Sequence, residues 1–414
     1  MNKNILLSLC CLLAYGLHAQ QSYKINFTHD GKKVFGTFKV PKGNKRFKTI
    51  IINPGSGAND RYGTMHMTGA NVACLYPGLL GDTLRPYDEL SDALQTAGYA
   101  VLIYDKLEFT YSSTLGTITF HKLWLPVESA IEYVKSRADV DTNNIILIGH
   151  SEGSSLIPYI SRHRKDIRAL ISIAGSRTPF DSLLAYQIVN ITQTCGGDVS
   201  AAKTQAQQIL DYFTLIRTNT FNNTTPDLFG VPASVWRDYV LATDPVADFY
   251  DSCRLPTLFI GLEKDINVPP SELLRFKSEV AITNDFWEIP SLIHYMVPNN
   301  VPHVANSLTD TIVYWLRSNG LRSNVATLSA IDQSIQIFPV PVQSYIEIVL
   351  RNPNADEVSF TLRDMTGKII VPSVVVKNHD HTLQYIDMST YQSGVYFVEF
   401  TIDGQVFVKK ILKY

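Results

Sequence analysis

Ile145-Ile146-Leu147-Ile148-Gly149-His150-Ser151-Glu152-Gly153 is the stretch on which the reading of this chain turns. A short β-branched apolar run reads as a buried strand, and the residues after Gly153 are competent to form a helix. A serine between two glycines at such a junction has the form of a nucleophile elbow, a sharp turn that exposes the hydroxyl. Gly149 and Gly153 are small where the strand and helix backbones crowd together. The Glu152 N–H then lies where it can face a developing oxyanion. The expectation is a serine hydrolase built around Ser151.

The flanking sequence supports a parallel sheet. Residues 22–48 alternate apolar and polar positions around His29-Asp30-Gly31, as two antiparallel strands would. Short apolar strands are expected at Thr49–Ile52, Tyr99–Tyr104, Ile167–Ala174, Thr257–Gly261 and Asp285–Ile289. Helical spacing is expected over 87–97, Leu123–Lys135, Ser154–Ser161 and Val301–Leu316. Strands alternating with helices imply a mostly parallel sheet covered on both faces. Residues from about 180 to 250 hold helical stretches and no convincing strand, which suggests a cap over the carboxyl ends of the strands.

The ends differ from this middle. Lys3 followed by the apolar Ile5–Leu17 and by Leu17-His18-Ala19 reads as a secretory signal peptide over residues 1–19. From 331 to 414, seven short alternating runs separated by turn signals indicate a small all-β sandwich, joined by a Ser/Asn-rich linker from Ser318 to about Ser329. The hydrolytic domain then spans 20–320. A formal charge of −2 gives no reason to expect nucleic acid as a partner. Beyond the leader lie Cys74, Cys195 and Cys253. Cys195 and Cys253 bracket the insert and could be bridged, but spacing does not decide the pairing.

An elbow serine needs an acid after a later strand and a base near the last helix. Asp265 follows the run Leu258–Leu262, with Glu263 as its local rival. His294 comes before the last helix, whereas His303 falls at or inside it. A second oxyanion donor is also required. Pro54-Gly55-Ser56-Gly57, after the first central strand, offers the N–H of Ser56, with Gly57 in reserve. This chemistry needs no metal or other cofactor, and His66 and His121 have no ligand-like neighbours in the sequence.

Residues about 49–317 resemble the α/β-hydrolase superfamily, in particular bacterial esterases and acyl hydrolases. The likeness rests on Gly55-Ser56-Gly57-Ala58-Asn59-Asp60-Arg61, Tyr104-Asp105-Lys106 and Gly149–Gly153, in that order. It implies an α/β-hydrolase fold with a helical cap and a triad of Ser151, Asp265 and His294. It also implies loop or pocket support from Asp60, Arg61, Asp105 and Lys106. The family's His before the oxyanion glycine is Pro54 here, and its Arg-Gly-x-Gly after Asp-Lys is Leu107-Glu108-Phe109-Thr110. Both changes reshape the pocket rim. The substrate expected is a small-molecule or glycan ester; a prolyl-oligopeptidase-like peptidase and a non-catalytic binding scaffold are the alternatives.

The tail resembles the C-terminal sorting domain of the type IX secretion system of Bacteroidota. The matching features are Phe338-Pro339-Val340-Pro341, Asp364 with Gly367-Lys368, Ser393–Val398, and Val408-Lys409-Lys410-Ile411-Leu412-Lys413. The resemblance implies the type IX machinery as partner, with export through the periplasm to the surface or medium.

Overall fold

The computed structural model describes residues 21–43, 46–280 and 284–323, and in the tail 335–338, 342, 344–350, 357–365, 367–377, 382–402 and 405–413. The leader, the linker from 324, Pro339-Val340-Pro341, the Asn352-Pro353-Asn354 turn, Thr366 and Asp403-Gly404 lie outside the described residues. The chain divides into two compact units, residues 1–324 and 325–414.

The first unit is organised by one eight-stranded sheet. Its strands are β1 (Gln21–His29), β2 (Lys32–Val40), β3 (Phe47–Asn53) and β4 (Ala100–Tyr104), then β5 (Val140–His150), β6 (Ile167–Ile173), β7 (Thr257–Leu262) and β8 (Asp285–Ile289). Their spatial order is β1-β2-β4-β3-β5-β6-β7-β8. The β1–β2 and β2–β4 pairs are antiparallel and every other pair is parallel.

The helices are α1 (Ala70–Leu75), α2 (Pro86–Thr96), α3 (Leu107–Tyr111), α4 (Phe120–Trp124), α5 (Pro126–Lys135) and α6 (Glu152–Ser161). There follow α7 (Phe180–Thr194), α8 (Val199–Thr218), α9 (Ala233–Thr243), α10 (Val246–Cys253), α11 (Ser271–Glu279) and α12 (Asn306–Ser318). Strand side chains alternate between faces. Ile50, Ile52, Val101, Ile103, Ile146 and Ile148 form one core with Leu90 and Leu94 of α2 and Leu308, Ile312 and Leu316 of α12. Ile51, Leu102 and Leu147, also fully buried, have the opposite parity and serve the face covered by α5 and α6. Both faces of the central strands are therefore dry, which explains their unbroken apolar runs.

Register brings the strand ends together. Asn53 lies beside Gly149, His150 beside Ile173, Ile173 beside Ile260, and Leu262 beside Ile289. The loops that follow these strands all emerge at one edge, where open α/β sheets bind their ligands.

Three expected elements are placed differently. The helix expected over Leu123–Lys135 is two helices, because Pro126 cannot donate a backbone hydrogen bond and instead starts α5. The last helix begins at Asn306 rather than Val301. The Val304 N–H is given to the Glu89 carboxylate of α2 at 2.7 Å, which holds 301–305 as a loop. Cys195 is bridged to Cys74, not to Cys253. Cys74 lies in α1 and Cys195 caps the end of α7, with Cα atoms 5.8 Å apart. Cys253 ends α10, which packs against α6 and the sheet: the Tyr250 hydroxyl donates to the Ser154 carbonyl at 2.7 Å, and its ring meets Phe259.

The insert thus consists of α7, α8 and α9. Arg217 of α8 holds it together, pairing with Asp181 of α7 at 2.6 Å and with Asp244 after α9 at 2.7 Å. An aromatic cluster of Phe180, Phe213, Trp236 and Tyr239 fills its interior and reaches Trp124 of α4.

The second unit holds β9 (Ile335–Phe338), β10 (Tyr345–Leu350), β11 (Glu357–Asp364), β12 (Ile369–Lys377), β13 (Thr382–Asp387), β14 (Gly394–Ile402) and β15 (Gln405–Lys413). They make two antiparallel sheets, β9-β10-β13 and β12-β11-β14-β15. Ile346, Ile348 and Ile386 of one sheet and Phe360, Leu362, Val398 and Phe400 of the other belong to a single core. That is the sandwich read from the alternating runs.

The cysteine pairing has a direct consequence. Cys195→Ser should lower the unfolding free energy by about 2–4 kcal/mol in denaturant titrations, as should reductant. Of Cys74, Cys195 and Cys253, only Cys253 should react with a thiol reagent in the denatured, unreduced protein.

Candidate functional site

The elbow is a strained turn. Ser151 sits between β5 and α6 with φ 54° and ψ −120°, in a region that L-residues rarely occupy. The two glycines permit it. A Cβ on Gly149 would lie 2.4 Å from the Gly153 carbonyl oxygen, and one on Gly153 would lie 2.3 Å from that of Asn53. The Ser151 N–H donates to the Ile173 carbonyl at 2.9 Å, which fixes the turn to the neighbouring strand. Glu152 is the first residue of α6, so its N–H has no partner within the helix.

Ser151, Ser56 and Glu152 line one cavity of about 140 Å³, together with Ser176 and Thr178 from the loop after β6 and Val268 from the loop after β7. Asn59 shapes the loop that carries Ser56. Its side-chain amide donates to the carbonyls of Gly55 (3.0 Å), Ser56 (2.8 Å) and Gly57 (3.3 Å). Lys106 also donates to the Gly55 carbonyl, at 3.2 Å. With those carbonyls engaged together, the N–H groups of Ser56 and Gly57 are left without a hydrogen-bond partner among the described residues.

Asp265 and His294 are brought together. One Asp265 oxygen takes the N–H groups of Asn267 and Val268, each at 2.8 Å, and the other meets His294 Nδ1 at 2.7 Å. Both residues are buried. With Nδ1–H donated to the carboxylate, Nε2 carries the lone pair. The loop bearing His294 is braced: Lys264 N–H donates to the Leu292 carbonyl at 2.8 Å, and Ser291 N–H to Glu263 at 2.7 Å. Glu263, the rival acid, is thus a brace rather than a partner of the histidine. His303 pairs with Glu89 at 3.1 Å on the exposed side of α2. Among the described residues no hydrogen bond joins Ser151 to His294; catalytic contacts of this kind are often long until substrate is bound.

A buried relay connects the elbow to both flanking loops. The Gly55 N–H donates to the Tyr87 hydroxyl at 3.0 Å, and that hydroxyl lies 2.8 Å from His150 Nδ1. His150 Nε2 lies 2.9 Å from the His294 carbonyl. A carbonyl only accepts, so Nε2 is the protonated nitrogen and Tyr87 donates to Nδ1. Burial, reinforced by neighbouring His294, pushes the His150 pKa down to about 3, so the ring stays neutral. The two imidazoles pack with centroids 4.9 Å apart.

The remaining residues marked by the sequence are paired with one another or with neighbouring residues. Arg61 grips Asp105 through two side-chain contacts of 2.9 and 2.7 Å, and Asp60 accepts the Thr64 N–H at 2.7 Å. Lys106 pairs with Glu152 at 3.2 Å and lies 3.7 Å from Glu108. Burial opposes its charge, but these carboxylates outweigh burial and hold the ammonium above its ordinary value.

Sequence reasoning missed Tyr87, Asn59 and Glu272. Glu272 of α11 gathers the pocket loop, accepting from Arg177 N–H (2.7 Å), Thr178 N–H (2.8 Å) and the Thr178 hydroxyl (2.7 Å). Burial would raise its pKa, but those donors outweigh it and set it below the ordinary 4.5.

The strand order of the sheet, the strained serine between β5 and α6, and an Asp–His pair on the loops after β7 and β8 coincide. The fold is that of the α/β-hydrolases. Residues 127–235 match the family model described as BAAT / Acyl-CoA thioester hydrolase C terminal. Residues 336–414 match the secretion system C-terminal sorting domain, so the sandwich is that sorting domain. Esterase EstD of Thermotoga maritima is 27% identical over 157 residues, which are 37% of this chain and 33% of that one. The chain therefore spans about a third of the length of that curated relative. Among solved structures, the esterase domain of a Rhodothermus marinus protein is similar with TM-score 0.44 and 13% identity, over 72% of this chain and 98% of that one. A hyperthermophilic esterase from Pyrobaculum calidifontis gives TM-score 0.45 and 17% identity, over 73% and 84%.

Two measurements follow. Tyr87→Phe leaves the buried Gly55 N–H and His150 Nδ1 without a partner and should cost about 1–3 kcal/mol of stability, read by denaturant titration. Glu272 stabilises the folded state fully above 4.5 and loses that effect as pH falls through its lower folded value. The stability gap between the protein and Glu272→Gln should accordingly narrow on acidification.

Proposed function

We propose that this α/β-hydrolase is an exported serine esterase that cleaves carboxylic esters through Ser151, Asp265 and His294. The reading is supported by one arrangement: a strained elbow serine and an oriented Asp–His pair lie on loops at the same edge of the sheet, and the Ser56 and Gly57 N–H groups have no partner among the described residues. In this mechanism the Ser151 hydroxyl attacks the ester carbonyl while His294 Nε2 takes its proton. Asp265 keeps the imidazole in the required tautomer and stabilises its protonated form. The N–H groups of Ser56 and Glu152 hold the oxyanion, with Gly57 alongside, and the start of α6 adds a favourable dipole. Protonated His294 then serves the departing alkoxide, and water attacks the acyl-enzyme by the same route in reverse. Asp60, Arg61, Asp105 and Lys106 act as supports for the loop that presents Ser56.

The sorting domain indicates export by type IX secretion. A leader at residues 1–19 would take the chain first to the periplasm, and the sorting domain would then direct it outward. An oxidising destination suits the Cys74–Cys195 bridge. The alcohol half of the substrate would be a small molecule or a glycan unit.

A fluorophosphonate probe should label Ser151, and Ser151→Ala should abolish both labelling and the hydrolysis of short-chain aryl esters. His294→Ala should lower kcat by about 10⁴–10⁶-fold. Peptide amides hydrolysed in preference to esters would replace this reading with a peptidase. Asn59→Ala should lower kcat by about tenfold to a hundredfold with little change in KM, because it loosens oxyanion donors that act in the transition state.

A further inference from the structure

Beyond the small cavity at Ser151 lies a second chamber of about 490 Å³. The two share Ser56, Glu152, Phe180 and Phe229, so the chamber adjoins the candidate reaction centre. Its lining is mainly apolar, with Leu115, Ile118, Leu123, Trp124, Val231 and Trp236, and its polar part is the Lys106, Glu108 and Glu152 cluster with Ser56 and Ser112. Phe229 stands between the two spaces at the tip of a tight turn, with φ 54° and its side chain largely exposed. The Leu228–Val231 bridge and the Trp236 indole, which donates to the Leu228 carbonyl at 3.1 Å, hold that turn in place.

We propose that this chamber receives the acyl half of the ester and that the acyl group it favours carries an aromatic ring. The inference rests on the esterase reading and specifies its substrate. The assignment to the acyl half follows from proton transfer. The leaving oxygen must reach His294, yet no residue of the Asp265 or His294 loops lines the chamber, whereas Val268 of the Asp265 loop lines the cavity at Ser151. The group that turns away from the histidine, toward the side of Ser56 and Glu152, is therefore the acyl group. Its size follows from the volume. An apolar cavity of about 150 Å³ takes up benzene, so this one has room for a ring on a short linker.

The preference for a ring follows from the walls. Trp124 and Trp236 have centroids 5.5 Å apart, Phe180 stacks on Trp236 at 5.4 Å, and Tyr239 locks both indoles from behind. These rings are fixed before substrate arrives. A flat guest gains ring-to-ring geometry from them that a flexible alkyl chain does not, and it loses fewer rotamers on entry.

The test keeps the leaving group small and constant. Initial rates are measured for methyl 3-phenylpropanoate, methyl nonanoate, which has the same number of acyl carbons, and methyl butanoate. The expected kcat/KM favours the phenyl ester over the nonanoate by about tenfold. Ile118→Trp and Val231→Trp, at half-buried positions outside the reaction centre, fill the chamber. Each should cut kcat/KM for the phenyl ester by about tenfold or more while leaving the butanoate within about twofold. Equal or better hydrolysis of the nonanoate overturns the proposal. So does a parallel loss on both short and aromatic esters in the filled variants. If no ester is turned over and Ser151 is not labelled, the esterase reading has failed instead. The chamber is then judged by calorimetry on Ser151→Ala: binding of 3-phenylpropanamide that Ile118→Trp abolishes supports it, and no binding overturns it.

Discussion

Everything around the candidate site depends on one close approach, that of the Gly153 backbone to the end of β3. A methyl group there would collide with the Asn53 and Pro54 carbonyls. Because none is present, α6 starts hard against the strand end, Ser151 is forced into its unusual backbone conformation, and the loop after Asn53 is brought beside the serine. The geometry is set by two backbones in contact rather than by any side chain.

From this contact the order spreads through buried polar links. Gly55, Tyr87, His150 and the carbonyl of His294 form one connected path, and each atom in it has one chemically allowed role. The loop after β3, the elbow and the loop after β8 therefore hold fixed positions relative to one another without relying on substrate. Asn59 and Lys106 complete the arrangement by occupying the carbonyls of the first loop. A buried network of this kind is costly if any member is lost, which makes it a rigid frame.

Much of this was legible in the sequence, for reasons that can be stated. Gly149–Gly153 is readable because the backbone requirement and the chemical requirement fall on the same five residues. Asp265 and His294 could be picked out because a parallel sheet sends its loops to one edge in a known order. The seven strands of the tail showed because a two-residue period survives in short runs. Tyr87, Asn59 and Glu272 were hidden because their roles exist only across the fold: Tyr87 meets a histidine 63 residues away and Glu272 gathers a loop 94 residues away. The cysteine pairing was hidden for the same reason, since Cys74 meets Cys195 only once α7 has folded back over α1. The start of the last helix shifted because Glu89, on another helix, claims a backbone donor that a helix would have used.

The Cys74–Cys195 bridge fastens the far end of α7 to the body of the protein, across 121 residues of chain. The near end of α7 is already tied to the sheet through the loop gathered by Glu272. A cap fixed at both ends of its first helix cannot swing open as a flap. Of the two anchors the bridge is the conditional one: it closes only where cysteines can be oxidised, so the cap is fully fastened only there.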